Sequence, residues 1–83
     1  MRIDDLAALG QQIRAQRRAL GLTQVVAAGL GGVSVALWSD LERGKRENVS
    51  VGTVLRILQT LGLDLELTPR RPPPPSTDRA VDG

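Results

Sequence analysis

Residues 21–45 read Gly21-Leu22-Thr23-Gln24-Val25-Val26-Ala27-Ala28-Gly29-Leu30-Gly31-Gly32-Val33-Ser34-Val35-Ala36-Leu37-Trp38-Ser39-Asp40-Leu41-Glu42-Arg43-Gly44-Lys45. Two short apolar groups flank the glycine pair in this stretch. Each follows a residue whose side-chain oxygen can accept from the free N–H groups of a first helical turn. Thr23 suits a helix over 24–30, and Ser34 suits a helix over 35–43. Gly29, Gly31 and Gly32 end the first of these, and Gly44 stops the second.

The flanks supply helices to pack against this pair. Upstream, Leu6, Leu9, Ile13 and Leu20 recur at helical spacing over 4–20, with Asp4 and Asp5 at the positive end and Gly21 as the stop. Downstream, 45–48 is a polar loop, and Ser50 caps a fourth helix carrying Val54, Leu55, Leu58 and Leu61 up to Gly62. Leu63-Asp64-Leu65-Glu66-Leu67 then alternates with period two, a strand signal ended by Pro69. A single strand needs a partner for its backbone groups. The economical partner is the same strand of a second copy, in an antiparallel pair across a two-fold axis with Leu63, Leu65 and Leu67 as the dimerisation residues. The alternative is that 63–67 packs as a tail on its own domain. We expect one domain over 1–68 and a disordered Pro-rich tail over 69–83, either solvated or a ligand for a proline-binding module.

Composition excludes several classes. The chain has 83 residues, no Cys and no His, so it has no thiol or imidazole nucleophile, no disulfide and no His- or Cys-ligated metal. Its carboxylates are scattered, and Gly29–Gly32 lacks the Lys-Ser/Thr of a phosphate loop. We therefore expect neither enzyme nor cofactor nor metal. The run 25–33 is too short and Gly-rich to span a bilayer, and Met1-Arg2-Ile3-Asp4-Asp5 does not open a signal peptide. The expectation is a soluble, cytoplasmic protein with no membrane partner. Net charge is +2, which by itself argues little about nucleic acid.

Two short helices joined by a tight glycine turn, with packing helices on either side, describe a helix-turn-helix. Residues 21–24, 32–34 and 39–45 fall in an ungapped spacing that resembles the Cro/repressor-type (XRE) helix-turn-helix family over about residues 10–62. The strand after the fourth helix, in place of a usual fifth helix, resembles the HipB-type antitoxin branch. The resemblance implies a mainly α fold of four to five helices with one C-terminal β-strand paired across a homodimer. It further implies double-stranded operator DNA and a HipA-like kinase toxin as partners, and repression of the chain's own operon.

In that frame, Thr23, Gln24 and Ser34 stand at helix N-termini whose free N–H groups favour phosphate. The outward positions of the third helix are Val35, Ala36, Ser39, Asp40 and Arg43, with Lys45 and Arg46 following towards the backbone. Val35 and Ala36 cannot donate to a base edge, although they can touch a thymine methyl. Asp40 either accepts from a cytosine amine or serves the helix locally, as a cap or a pair for Arg43. By resemblance Arg17 and Glu42 form a partly buried structural salt bridge; the alternative is two solvated charges. Trp38 fills volume left by Ala27 and Gly31, or else is an exposed anchor for a toxin. Arg14 and Arg18 are outward and add to the basic surface or to solubility alone. Our leading reading is a dimeric repressor acting as an antitoxin. Its alternatives are a protein-binding module with a degenerate DNA-reading helix and a stand-alone phage-type regulator.

Overall fold

A computed structural model describes residues 2–69. Four helices follow in order: α1 Leu6–Ala19, α2 Gln24–Gly31, α3 Val35–Glu42 and α4 Val51–Thr60. Each opens on a side-chain cap that accepts from the backbone N–H three residues on. Asp5 takes Ala8 at 2.8 Å, Thr23 takes Val26 at 3.1 Å, Ser34 takes Leu37 at 3.0 Å and Ser50 takes Thr53 at 3.1 Å. The cap explains why α1 starts later than the expected residue 4: Asp5 is extended, outside the helix, and supplies its oxygen from there.

The core is Ile13, Ala27, Ala28, Trp38, Leu41, Ile57, Leu58 and Leu61. α3 lies between α1 and α2, and α4 packs on α2. Two side chains tie α4 in. Gln16 Nε2 donates to the Leu61 carbonyl at 3.0 Å, and Arg56 Nε donates to the Gly31 carbonyl at 3.3 Å. Two apolar assignments need correction. On α4 the inward face runs through Val54, Ile57, Leu58 and Leu61, at i, i+3, i+4 and i+7, which leaves Leu55 exposed. Leu20, at the end of α1, is exposed as well.

Gly10 has a role that hydrophobic periodicity did not find. It is buried where α1 crosses the end of α3, and a Cβ there would overlap the Leu41 carbonyl oxygen and stand 2.8 Å from its carbon. The obstacle is backbone, which cannot swing aside as a side chain can. Gly10→Ala is expected to force α1 off α3 and to destabilise the domain by about 1–3 kcal/mol despite alanine's better helix propensity. A thermal melt followed by circular dichroism checks this; a raised midpoint would contradict the close approach.

Residues 63–69 carry no regular secondary structure. Leu63 packs against the core, whereas Leu65 and Leu67 are 50% and 89% exposed. A ladder needs a second strand, and there is none among the described residues, so the expected strand at 63–67 does not form in the isolated chain. The expected Pro-rich tail, from residue 70 on, lies outside the described residues. No single helix among the described residues is long and apolar enough to cross a membrane.

Candidate nucleic-acid interface

α2 and α3 turn through 112° across Gly32-Val33-Ser34. Gly32 sits at φ 70°, in the left-handed region that a side chain disfavours, and this reverses the chain within three residues. The turn joins the C-terminus of α2 to the N-terminus of α3, and each helix opens under its own hydroxyl cap. The Thr23 and Ser34 hydroxyls accept from the backbone and keep their own O–H to donate, so both remain competent to bind an anion.

Outward from this pair, α3 presents Val35 and Ala36 exposed, with Ser39 and Asp40 half-buried beside them. Arg43 has left the helix as its C-cap and is exposed, as are Lys45 and Arg46. Lys45 N–H closes on the Asp40 carbonyl at 2.9 Å, which fixes how the basic segment leaves the helix. Asp40 accepts from Arg43 Nη2 at 3.2 Å, the local pair that one of its two readings expects. Among the nominated residues, then, 34–36, 39, 40, 43, 45 and 46 lie along one helix and its exit, and Thr23 stands at the start of the preceding helix.

Gln24 stands in the first turn of α2, as expected, and its side chain has an internal partner as well. Its side chain turns inward, and Nε2 donates to Glu42 Oε1 at 2.9 Å. It thereby joins a network centred on Glu42, whose side chain is 2% exposed. Arg17 grips that carboxylate with two parallel bonds, Nε to Oε2 at 2.6 Å and Nη2 to Oε1 at 3.0 Å, and its Nη1 donates to the Leu22 carbonyl at 2.8 Å. Trp38 Nε1 donates to Oε2 at 2.6 Å. The buried carboxylate is thus met from three elements: α1, the start of α2 and its own helix. Burial pushes the Glu42 carboxyl up; hydrogen bonds from Arg17, Gln24 and Trp38, with the Arg17 charge, outweigh it and hold the group below its ordinary value. Arg17 is raised, chiefly by its hydrogen bonds to Glu42. The salt bridge expected between Arg17 and Glu42 is present.

Trp38 is fully buried, so the reading of it as an exposed anchor does not hold. Its ring lies against Gly31, where a Cβ would be 3.4 Å from Cζ3. The Trp38–Glu42 bond has a sequence signal, since the two are four residues apart on one helix. The Gln24–Glu42 bond, across 18 residues, has none.

A helix-turn-helix domain model matches residues 8–76. The chain is 38% identical over 66 residues to an uncharacterised HTH-type transcriptional regulator, y4mF, of Sinorhizobium fredii, covering 80% of this chain and 86% of that protein. Among solved structures, it is similar to the restriction-modification controller protein C.AhdI of Aeromonas hydrophila. That match has 36% identity and a TM-score of 0.66 over 71% of this chain and 88% of that one. It is also similar to a chain in a HipA–HipB–O2–O3 complex and to one in a HipB–O4 20mer complex. Each of these matches has 27% identity and a TM-score of 0.75 over 86% of this chain and 99% of the other.

Proposed function

The chain belongs to the XRE-type helix-turn-helix family, and from that premise we propose that it is a sequence-specific DNA-binding repressor. The observation that carries this is the 112° turn between two capped helices, the second with an exposed outer stripe running into Arg43, Lys45 and Arg46. A helix of this length fits a major groove about 12 Å wide, with the hydroxyl caps and the basic exit on the flanking phosphates. Val35 and Ala36 give van der Waals contact without a hydrogen bond, so discrimination leans on Ser39 and on DNA shape.

The protein works as a homodimer in the cytoplasm, its heads reading two half-sites about 34 Å apart. Exposed Leu65 and Leu67, beside half-buried Leu63, support a second copy pairing there as a strand. The finer assignment is the antitoxin of a toxin–antitoxin pair, repressing its own operon and restraining a HipA-like kinase toxin. Likeness to a chain in a HipA–HipB complex over 99% of that chain supports it. The 36% identity to a controller protein favours a second reading, a stand-alone regulator with no toxin. A neighbouring gene for a larger, kinase-like chain separates the two.

Fluorescence anisotropy with the chain's own upstream DNA and with scrambled DNA, across a salt series, tests the central claim. We expect preference for the upstream DNA, saturation at two chains per site and a steep salt slope. Lys45→Gln and Arg46→Gln each lower that slope by about two units, one from each chain of the dimer. Equal, weak binding to both DNAs would overturn the reading and leave the helix-turn-helix as a protein-binding scaffold.

A further inference from the structure

A cleft of about 560 Å³ opens between α1 and the end of α3, lined by Gln11, Arg14, Ala15, Arg18, Glu42 and Arg43. Its charge is uneven in one direction. Glu42 is already neutralised by Arg17, and Arg43 is shared with Asp40. Arg14 and Arg18 are exposed and have no hydrogen-bond or ion-pair partner among the described residues. They stand one turn apart on α1, about 5–6 Å between Cβ atoms, on the same side as Gln11. Two free guanidiniums and a third held at the rim converge on a space with no uncommitted acid among its lining residues.

We propose that this cleft is a phosphate-binding site that extends the DNA contact from α3 onto α1, with Arg14 and Arg18 each holding a backbone phosphate outside the base-reading stretch. The inference rests on the DNA-binding reading above. Position carries it: Arg43 lines the cleft and, as the C-cap of α3, stands at the end of the helix whose outer side holds Val35 and Ser39. The cationic surface is therefore continuous with the outward face of α3. Guanidinium suits the task because its planar fork donates in pairs to phosphate oxygens. These contacts carry no base information, so they set register and affinity and leave sequence preference unchanged.

The test is the full chain carrying Arg14→Gln and Arg18→Gln together, with Arg14→Lys and Arg18→Lys as the charge-preserving partner, on upstream and scrambled duplexes. The Gln pair is expected to lower the log–log salt slope by about four units on both DNAs, two from each chain of the dimer. Between about 50 and about 200 mM salt the original dimer then loses roughly a hundredfold more affinity than the Gln pair. The Lys pair keeps the slope. Both residues are exposed, so melting midpoints stay put and a changed slope reports binding rather than folding. An unchanged slope in the Gln pair, with preference for upstream DNA intact, overturns the phosphate site and leaves the repressor reading standing; the cleft would then suit an acidic protein segment. A lowered slope on scrambled duplex, with no preference for upstream DNA in any variant, supports the phosphate site while the repressor reading fails.

Discussion

Trp38→Ala is expected to leave the domain unfolded at room temperature. The indole is fully buried and is the largest side chain in the core. Its neighbours cannot close over the gap: Ala27 and Ala28 have only methyl groups, and Gly31 has none. A large aromatic removed from such a site costs about 3–5 kcal/mol in lost transfer energy and cavity. The loss of the 2.6 Å bond from Nε1 to Glu42 adds about 1.5–3 kcal/mol, because the acceptor is a buried charge. A domain below about 70–80 residues rarely holds more than ~3–5 kcal/mol in all. Trp38→Phe keeps much of the volume while removing the donor and part of the indole; it should stay folded, with a melting midpoint below that of the original chain. Trp38 is the sole aromatic residue, so far-ultraviolet circular dichroism rather than fluorescence has to follow these melts. A folded alanine variant with an unchanged midpoint would sink this account of the core.

The parts of the fold that sequence reveals are those whose causes are local. A capping hydroxyl, the apolar run behind it and the glycine beyond lie within about a dozen residues, so Thr23, Ser34 and Ser50 mark their helices without reference to the rest of the chain. The contacts that orient those helices are not local. Gly10 matters because another helix's carbonyl lies against it, and nothing in the spacing of Leu6, Leu9 and Ile13 says where α3 will cross. Gln24 looks like any polar residue at a helix start until folding brings Glu42 within 2.9 Å. Leu55 and Ile57 show a third kind of failure: on an apolar helix several stripes are plausible, and the choice belongs to the partner surface. Leu63 to Leu67 is the extreme case, since period-two alternation describes a strand that one chain cannot complete.

Glu42→Gln should cost about 3–5 kcal/mol at neutral pH, and its effect should fade as the solution is acidified. The variant keeps the shape but leaves the Arg17 guanidinium, 12% exposed, without a charged partner, the situation in which a broken buried pair is most destabilising. The pH dependence follows from the direction of the carboxyl's shift. In the folded chain it lies below its ordinary value; unfolded, it titrates near about 4.3. The stability it contributes is complete above the unfolded value and is lost as pH falls through the lower, folded one. A glutamine never had that contribution. Melting midpoints of the two chains should therefore differ widely near about pH 7 and converge as the pH falls below the unfolded carboxyl's value of about 4.3 and through the lower, folded one. A constant difference across that range would show that Glu42 acts by shape alone. Because Arg17 belongs to α1, Gln24 to α2 and Trp38 to α3, protonating this one carboxylate loosens all three helices at their common point. Loss of DNA binding on acidification should accordingly track loss of helical signal and not precede it.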